Sequence, residues 1–298
     1  MKKVILIVLC VVICGCNNVK EKETFINVKS KEVHILENEN YDYLDNIVSS
    51  DNEKVVCQKN DDIINCILDN KEVSYKIIYT SVTKNKNIIF FGDSITYGFL
   101  TKGYSWAGFI KDNYDFNTVI NAGISDYRVS TYDDKNKWLT DTIISHANEK
   151  YDYVIMQGGI NDTLYNTPLG EISNSKSEND FNVNTFAGGL ESYIFSAKKY
   201  FKDAKIGYII TYYTPNYTER GQKWSYDDYN KYVMMTKEIL DKWNIKYLDL
   251  FNEEYSNILK VNTKTYLPDN LHLNYEGYKI IYPYIYDFIK SLWIVDGK

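Results

Sequence analysis

The chain has 298 residues, of which 44% are hydrophobic and 25% are charged. This length and composition suffice for one sizeable folded domain with a small additional module, and they exclude intrinsic disorder and collagen-like structure. With 34 basic and 40 acidic side chains the net charge is −6. Because phosphate backbones attract basic surfaces, this balance argues against a nucleic-acid partner.

The N-terminal residues predict an export signal. Two lysines precede an apolar run at residues 4–13 that is too short to span a bilayer. The run ends in Ile13-Cys14-Gly15-Cys16, which resembles a bacterial lipobox. The resemblance implies that residues 1–15 are a lipoprotein signal peptide and that Cys16 is the site of lipidation. We therefore expect an exported protein that is lipid-anchored to the membrane of the bacterial cell envelope. The alternative is an ordinary apolar signal region that happens to contain cysteines.

Residues 16–24 are polar and predict a tether, and residues 25–85 predict a small β-rich accessory module, because short apolar runs alternate there with Asn/Asp/Lys turns. The module either attaches the protein to a surface polymer or serves as a spacer or lid. Two of its β-runs surround Asp61-Asp62, and a turn at that point places Cys57 opposite Cys66. In an exported chain this predicts a disulfide, with two buried free thiols as the alternative.

From residue 86 to residue 298, apolar β-runs alternate with helical stretches, which predicts an α/β domain. We expect a flavodoxin-like three-layer sandwich around a five-stranded parallel sheet. Ligands of such sheets bind outside the carboxyl ends of the strands, and residues 163–184 predict a long loop on that rim. The predicted strands are 87–91, 118–121, 153–157, 205–212 and 246–250, and the predicted helices are 105–113, 138–148, 186–201, 226–243 and 275–293.

Four short segments follow predicted strands or precede the last helix. They are Gly92-Asp93-Ser94, Asn121-Ala122-Gly123, Gly159-Ile160-Asn161-Asp162 and Asp269-Asn270-Leu271-His272. Their order and spacing resemble the four blocks of the GDSL or SGNH hydrolase superfamily, over about residues 87–293. The resemblance implies a serine esterase, a carboxylic ester hydrolase.

The chemistry of the residues agrees with that resemblance. A serine hydroxyl is a poor nucleophile until a neighbouring base takes its proton. Of the three histidines, His34 lies in the accessory module and His146 lies inside a predicted helix, so His272 is the candidate base. Asp269 can fold back onto that imidazole and fix its tautomer. The predicted catalytic residues are Ser94, Asp269 and His272.

By resemblance, the oxyanion hole consists of the backbone N–H groups of Ser94 and Gly123 and the side-chain amide of Asn161. The alternatives are a simple turn glycine at Gly123 and a helix cap at Asn161. Asp93, beside the nucleophile, is interpreted as structural. The chain has no metal-ligand or phosphate-loop spacing, so we expect no metal and no cofactor.

The superfamily includes carbohydrate O-acetyl esterases, lipases, lysophospholipases and thioesterases, so the substrate is left open. Export and a polar rim loop favour acetylated carbohydrate as the ester substrate. The same substrate is favoured by aromatic residues in or near the rim, where a flat ring can stack on a sugar. These residues are Tyr97, Tyr104, Trp106, Tyr127 and Tyr165. The alternatives are a lipase, lysophospholipase or thioesterase and, in another class, a surface lipoprotein that binds glycans without turnover.

Overall fold

The computed structural model describes residues 24–36, 41–214, 218–219, 222–223, 225–252, 255 and 263–293. The predicted signal peptide, Cys16 and all of the predicted tether except Thr24 lie outside the described residues. The chain divides into two compact units, Met1–Thr80 and Ser81–Lys298.

The first unit is built from short β-strands. A four-stranded sheet has the order β2-β6-β5-β4, and β1 pairs with β3 antiparallel. Every second side chain of β5 is buried, at Ile64, Cys66 and Leu68, so one face of this sheet forms the small core. The strands are β1 (Ile26–Val28), β2 (Glu32–Leu36), β3 (Ile47–Ser49), β4 (Val56–Asn60), β5 (Ile63–Leu68) and β6 (Lys71–Thr80).

A hairpin joins β4 to β5 through the two residues between them, Asp61 and Asp62. Asp61 has a φ of 52°, in the left-handed region that tight hairpin turns use and that Asp tolerates better than most residues. Cys57 and Cys66 are direct partners in the register, as the sequence predicts. The two cysteines form a disulfide, with Cα atoms 4.1 Å apart.

The second unit contains an all-parallel five-stranded sheet with the order β13-β10-β9-β7-β8. All five residues of β9 are buried, because helices cover both faces of the sheet. The first and second strands along the chain are neighbours and the third lies on the other side of the first, which is the flavodoxin-like order. The predicted fold class is confirmed. The strands are β7 (Asn87–Gly92), β8 (Thr118–Gly123), β9 (Tyr153–Gln157), β10 (Lys205–Ile210) and β13 (Lys246–Asp249); the short pair β11 (Thr218–Glu219) and β12 (Gln222–Lys223) lies outside this sheet.

Two groups of helices pack beside the sheet. In one, α2 packs against α8, and in the other, α5 packs between α3 and α6. No helix within the described ranges is long and apolar enough to cross a membrane. The helices are α1 (Ser94–Tyr97), α2 (Trp106–Asn113), α3 (Leu139–Ser145), α4 (Ile160–Leu164), α5 (Phe186–Tyr200), α6 (Tyr226–Trp243), α7 (Thr263–Tyr266) and α8 (Tyr275–Ser291).

Several boundaries differ from the sequence-based ones. Strand β8 continues two residues further than predicted, to Gly123, because Gly92 of β7 still pairs with it there. Strand β10 stops at Ile210, where its pairing with β13 ends. The one-turn helix α4 was not predicted, since five residues are too few to show a helical period. The rim loop consequently begins after Leu164 rather than at residue 163.

Candidate active site

Ser94 is held in a tight turn between a strand and a helix. It is the first residue of α1, directly after β7, and it is buried. The carboxylate of Asp93 caps the helix by accepting a hydrogen bond from the Ile95 N–H at 2.9 Å. Only glycine fits at position 92, because a Cβ there would lie 2.2 Å from the Thr96 hydroxyl oxygen. The sequence around Ser94 therefore fixes the direction in which its hydroxyl leaves the sheet.

Asp93 is fully buried beside Ser94. Its second carboxylate oxygen accepts a hydrogen bond from Gln157 Nε2 at 2.9 Å, and Gln157 Oε1 in turn accepts from Thr96 at 2.8 Å. Burial raises the pKa of Asp93 to about 6, although the bonds from Ile95 and Gln157 partly offset this effect. Asp93 thus connects the nucleophile turn to the end of β9, which agrees with its interpretation as a structural residue.

His272 and Asp269 complete a chain of hydrogen bonds that begins at Ser94. The distance from His272 Nε2 to Ser94 Oγ is 2.8 Å, and the distance from His272 Nδ1 to Asp269 Oδ2 is 2.6 Å. The other Asp269 oxygen accepts from the backbone N–H groups of Leu271 at 3.0 Å and His272 at 2.7 Å. Partial burial opposes ionisation of Asp269, but the bonds from the imidazole and the two amides outweigh it and lower the pKa of that carboxyl.

Two buried tyrosines connect the three residues to the rest of the domain. The Tyr212 hydroxyl donates to the Leu271 carbonyl at 2.8 Å, which anchors the loop that carries His272 to the chain just beyond β10. The Tyr278 hydroxyl donates to the Ile95 carbonyl at 2.6 Å, which ties α8 to the nucleophile turn. Residues that are 178 positions apart in the sequence therefore meet within hydrogen-bonding distance.

Asn161 lies on α4, directly after β9, and is mostly buried. Its side-chain nitrogen donates one hydrogen to the Tyr127 carbonyl at 2.9 Å. A primary amide has two N–H donors, so this bond orients the amide and leaves the second hydrogen for a ligand.

Asp162, the next residue, is a buried anchor for the loop that follows β8. Its carboxylate accepts hydrogen bonds from the Val129 N–H at 2.9 Å, the Ser130 N–H at 3.1 Å and the Ser130 hydroxyl at 2.6 Å. Burial raises the pKa of Asp162 to about 6, against the opposing effect of these bonds and of the Arg128 charge. Asp162 therefore holds that loop against α4. The orientation of the Asn161 side chain depends on both, because Asn161 lies on α4 and its amide donates to Tyr127 in the loop.

Gly123 lies at the carboxyl end of β8, where it pairs with Gly92, two residues before Ser94. Gly123 is the last residue of β8, and its N–H already donates to the Asn121 side-chain oxygen at 3.1 Å. A Cβ at this position would lie 2.3 Å from the backbone nitrogen of Tyr97, so glycine is required for β8 to pack against α1. Its oxyanion role stays a prediction.

A cavity of about 210 Å³ opens at Ser94 and His272. Asp126 borders it, three residues beyond Gly123, with a φ of 67°. Asp126 is not among the site residues predicted from the sequence. The signal that could have pointed to it is its residue type, because Asp after Ile124-Ser125 tolerates the left-handed region better than most residues. The lining residues are Ser94, Phe99, Ser125, Asp126, Asn161, Leu164, Tyr165, Leu271 and His272.

The other two histidines and one of the predicted rim aromatics do not line this cavity. His34 is on β2, and His146 follows α3 with its ring edge-on to Phe91 and its Nδ1 3.0 Å from Glu149. Trp106 is buried in the core, so its ring cannot stack on a sugar. Within the described part of the chain, no group of three or more His, Cys, Asp or Glu side chains is arranged to hold a metal ion.

The sequence profile of the GDSL-like lipase/acylhydrolase family matches residues 90–280, which is more than half of the chain. The chain belongs to this family. It is an ester-hydrolysing enzyme. A search of curated proteins finds no significant match.

Solved structures resemble the second unit of this GDSL-like hydrolase. A protein from Lactobacillus plantarum is 18% identical, with 71% of this chain and 100% of that chain covered and a TM-score of 0.56. A possible lipase from Chitinophaga pinensis is 19% identical, with coverages of 70% and 98% and a TM-score of 0.50. These two likenesses show the fold. A catalytic mutant of an acetylxylan esterase from Geobacillus stearothermophilus gives a TM-score of 0.49 at 19% identity, with coverages of 72% and 99%.

Proposed function

We propose that this hydrolase cleaves esters with a Ser94-His272-Asp269 triad and that its substrate is an O-acetylated carbohydrate of the cell surface. The observation that carries the triad is the continuous hydrogen-bond chain from Ser94 Oγ through both imidazole nitrogens to Asp269. A serine hydroxyl becomes a good nucleophile when a histidine takes its proton, and the carboxylate holds that histidine in the tautomer that can do so.

In the acylation step, Ser94 Oγ attacks the ester carbonyl carbon while its proton passes to His272 Nε2. Asp269 keeps the proton on Nδ1 and stabilises the imidazolium that forms. The carbonyl oxygen becomes an oxyanion, and the free hydrogen of the Asn161 amide and the Ser94 N–H are the donors proposed for it. The intermediate then collapses: the bond to the alcohol oxygen breaks, and His272 returns its proton to the leaving alcohol.

In the deacylation step, water takes the place of the alcohol. His272 Nε2 removes a proton from the water, whose oxygen attacks the carbonyl carbon of the acyl-serine. The second tetrahedral intermediate collapses to a carboxylic acid, and His272 returns the proton to Ser94 Oγ. No residue other than those of the acylation step is needed, because the two steps mirror each other.

Three observations support a short acyl group on a large alcohol. The cavity of about 210 Å³ is smaller than the roughly 300 to 1,000 Å³ of pockets that enclose drug-sized ligands. An exposed aromatic ring that lines the cavity, that of Phe99, offers a flat surface to a sugar. The rim segment from residue 165 to residue 184 is polar, unlike a lid for fatty acyl chains.

The proposed location is the outer side of a bacterial membrane, with Cys16 as the lipid anchor. It rests on the lipobox-like Ile13-Cys14-Gly15-Cys16 and on the Cys57-Cys66 disulfide, since disulfides persist in oxidising compartments. There the enzyme would meet acetylated polysaccharides. Replacing Cys16 with Ser should abolish labelling with radioactive palmitate and release the protein from membranes, whereas unchanged membrane retention and mass would contradict the anchor.

One observation favours a second candidate function, a lipase or lysophospholipase. Phe99 and Leu100 are 50% and 38% exposed beside the cavity mouth, and apolar side chains at such a place can bind lipid.

The discriminating experiment measures hydrolysis of acetylated xylan, acetylated peptidoglycan, lysophospholipid and p-nitrophenyl esters from acetate to palmitate by the same preparation. We expect the acetylated substrates to be favoured, and a preference for palmitate or lysophospholipid would replace carbohydrate with lipid. Ser94→Ala and His272→Ala should each lower turnover on the order of 10⁴ to 10⁶-fold without unfolding the protein. More than a tenth of wild-type turnover in either variant would contradict the triad, and His146→Ala is the matched histidine control.

A further inference from the structure

The ring of Tyr165 forms a wall of the cavity and is held from three sides. Tyr165 follows α4 directly, and its backbone N–H donates to the Asn161 carbonyl at 2.9 Å. Its hydroxyl donates to Asp126 Oδ1 at 2.8 Å. The Arg128 guanidinium lies 4.5 Å from the centre of the ring, a distance at which a cation is attracted to the aromatic face.

The groups that hold Tyr165 are themselves held. Asp126 forms an ion pair with Lys137 through its second carboxylate oxygen, Oδ2. Arg128 is almost completely buried and forms an ion pair with Asp133 at 3.3 Å. The wall is therefore part of a connected network of charged and hydrogen-bonded groups, and the ring cannot turn away without breaking at least two of these contacts.

The proposed mechanism determines which part of an ester faces this wall. The leaving oxygen must face His272 Nε2, which protonates it, and the carbonyl oxygen must face the Asn161 amide. We assign the acyl carbon to the remaining direction, toward Leu164 and Tyr165, because both residues line the cavity. On the other side, Phe99 lies against the His272 ring at 4.7 Å and is half exposed, so the alcohol side is open.

We propose that Tyr165, fixed by Asp126 and Arg128, restricts the acyl group of the substrate to acetyl or a similarly short chain. The wall is on the acyl side only, so a large alcohol such as a polysaccharide still fits. This inference rests on the proposed triad, and it names the residue that sets the acyl selectivity. A longer chain reaches the reactive geometry only after the ring has left its contacts, and this cost lowers kcat/KM for long esters.

The test compares kcat/KM for p-nitrophenyl acetate and octanoate. Wild type should favour acetate, and Tyr165→Ala should raise the ratio of octanoate to acetate at least about tenfold, the selectivity that one or two methylenes carry in an apolar pocket. Tyr165→Phe keeps the ring but loses the bond to Asp126, so a smaller rise is expected. Tyr132→Ala removes a partly exposed tyrosine that does not border the cavity and should leave the ratio unchanged.

A second measurement does not depend on turnover. The p-nitrophenyl esters of methylphosphonate and octylphosphonate label an activated serine with loss of p-nitrophenol. Intact-mass spectrometry then gives the labelling rate for each alkyl group. Octylphosphonate should label wild type slowly and Tyr165→Ala faster. Equal ratios in wild type and Tyr165→Ala would overturn the inference. Failure of the triad would show separately, as wild-type turnover in Ser94→Ala.

Discussion

Replacing Asp269 with Asn should harm catalysis more than its small size suggests, because the loop dictates how the new amide is oriented. Asp269 Oδ1 accepts from the N–H groups of Leu271 and His272. The single oxygen of Asn must stay there, so its NH₂ group takes the place of Oδ2 and donates to His272 Nδ1. The proton of a neutral imidazole then lies on Nε2, which faces Ser94 and can no longer accept its proton.

The expected loss of kcat for Asp269→Asn is about 10⁴-fold, which corresponds to about 5.5 kcal/mol at 1.36 kcal/mol per factor of ten. Asp269→Ala leaves the imidazole free to adopt either tautomer, so its loss of kcat should be no larger. Stability should follow the opposite order. Asn keeps an acceptor for both backbone amides, whereas Ala leaves them without one and should lower the free energy of unfolding by about 1 to 2 kcal/mol.

Activity and stability are therefore measured on the same samples, as kcat with p-nitrophenyl acetate and as Tm by circular dichroism. A loss of about 1 to 2 kcal/mol should lower Tm by roughly 2 to 8 °C for a domain of this size. The reasoning is refuted if Asp269→Asn keeps more than a tenth of wild-type kcat. It is also refuted if Asp269→Ala is at least tenfold less active than Asp269→Asn while its Tm is the higher of the two.

Three further predictions concern packing, pH and the first unit. Gly123→Ala should lower Tm sharply, because the alanine Cβ would lie 2.3 Å from the Tyr97 backbone nitrogen. A Tm within 1 °C of wild type, together with a kcat reduced about 10² to 10³-fold, would instead support an oxyanion role for Gly123. The pKa of Asp162 is raised from 3.8 to about 6, so its protonated form contributes stability that is fully present below about pH 4 and is lost as the pH rises through 6. The difference in unfolding free energy between wild type and Asp162→Asn should fall by up to about 3 kcal/mol from pH 4 to pH 7, and a flat difference would contradict this. Replacing Cys57 and Cys66 with Ser removes a cross-link that stabilises the fold by roughly 2 to 3 kcal/mol, so residues 25–83 should become protease-sensitive while ester hydrolysis is unchanged. Two titratable thiols in the non-reduced protein would exclude the disulfide, and a loss of ester hydrolysis would make the first unit part of the active domain.

The sequence predicts best what depends on residue type and on neighbours in the chain. Residues Tyr153–Met156 form an apolar run that follows Asp152, and the observed strand Tyr153–Gln157 has the predicted ends. Ser94, Asp269 and His272 could be singled out because only a few residue types can act as nucleophile, base and orienting acid. Their chemical roles remain predictions, but the structure places them in contact.

What the sequence does not reveal depends on pairing and on distant contacts. Strand β8 extends to Gly123 because β7 is long enough to pair with it, and this cannot be read from the residues of β8 alone. The sequence places Tyr165 among the rim aromatics whose rings are expected to stack on a sugar. Its contacts with Asp126 and Arg128 exist only after the loop beyond β8 has folded against α4. The shape of the cavity is thus a tertiary property.

The three hydrogen bonds that the Asp162 carboxylate accepts from Val129 and Ser130 have a practical meaning for protein engineering. They join the loop beyond β8 to α4, and Thr167 N–H closes the far end of the joined segment by donating to the Asp162 carbonyl at 2.9 Å. A loop grafted from a relative into positions 124–137 would arrive without donors placed to match the Asp162 carboxylate. Chimeras that exchange residues 124–137 and 160–167 together should express and fold where single-loop exchanges fail, so these two segments are the natural unit for transplanting selectivity between members of the family.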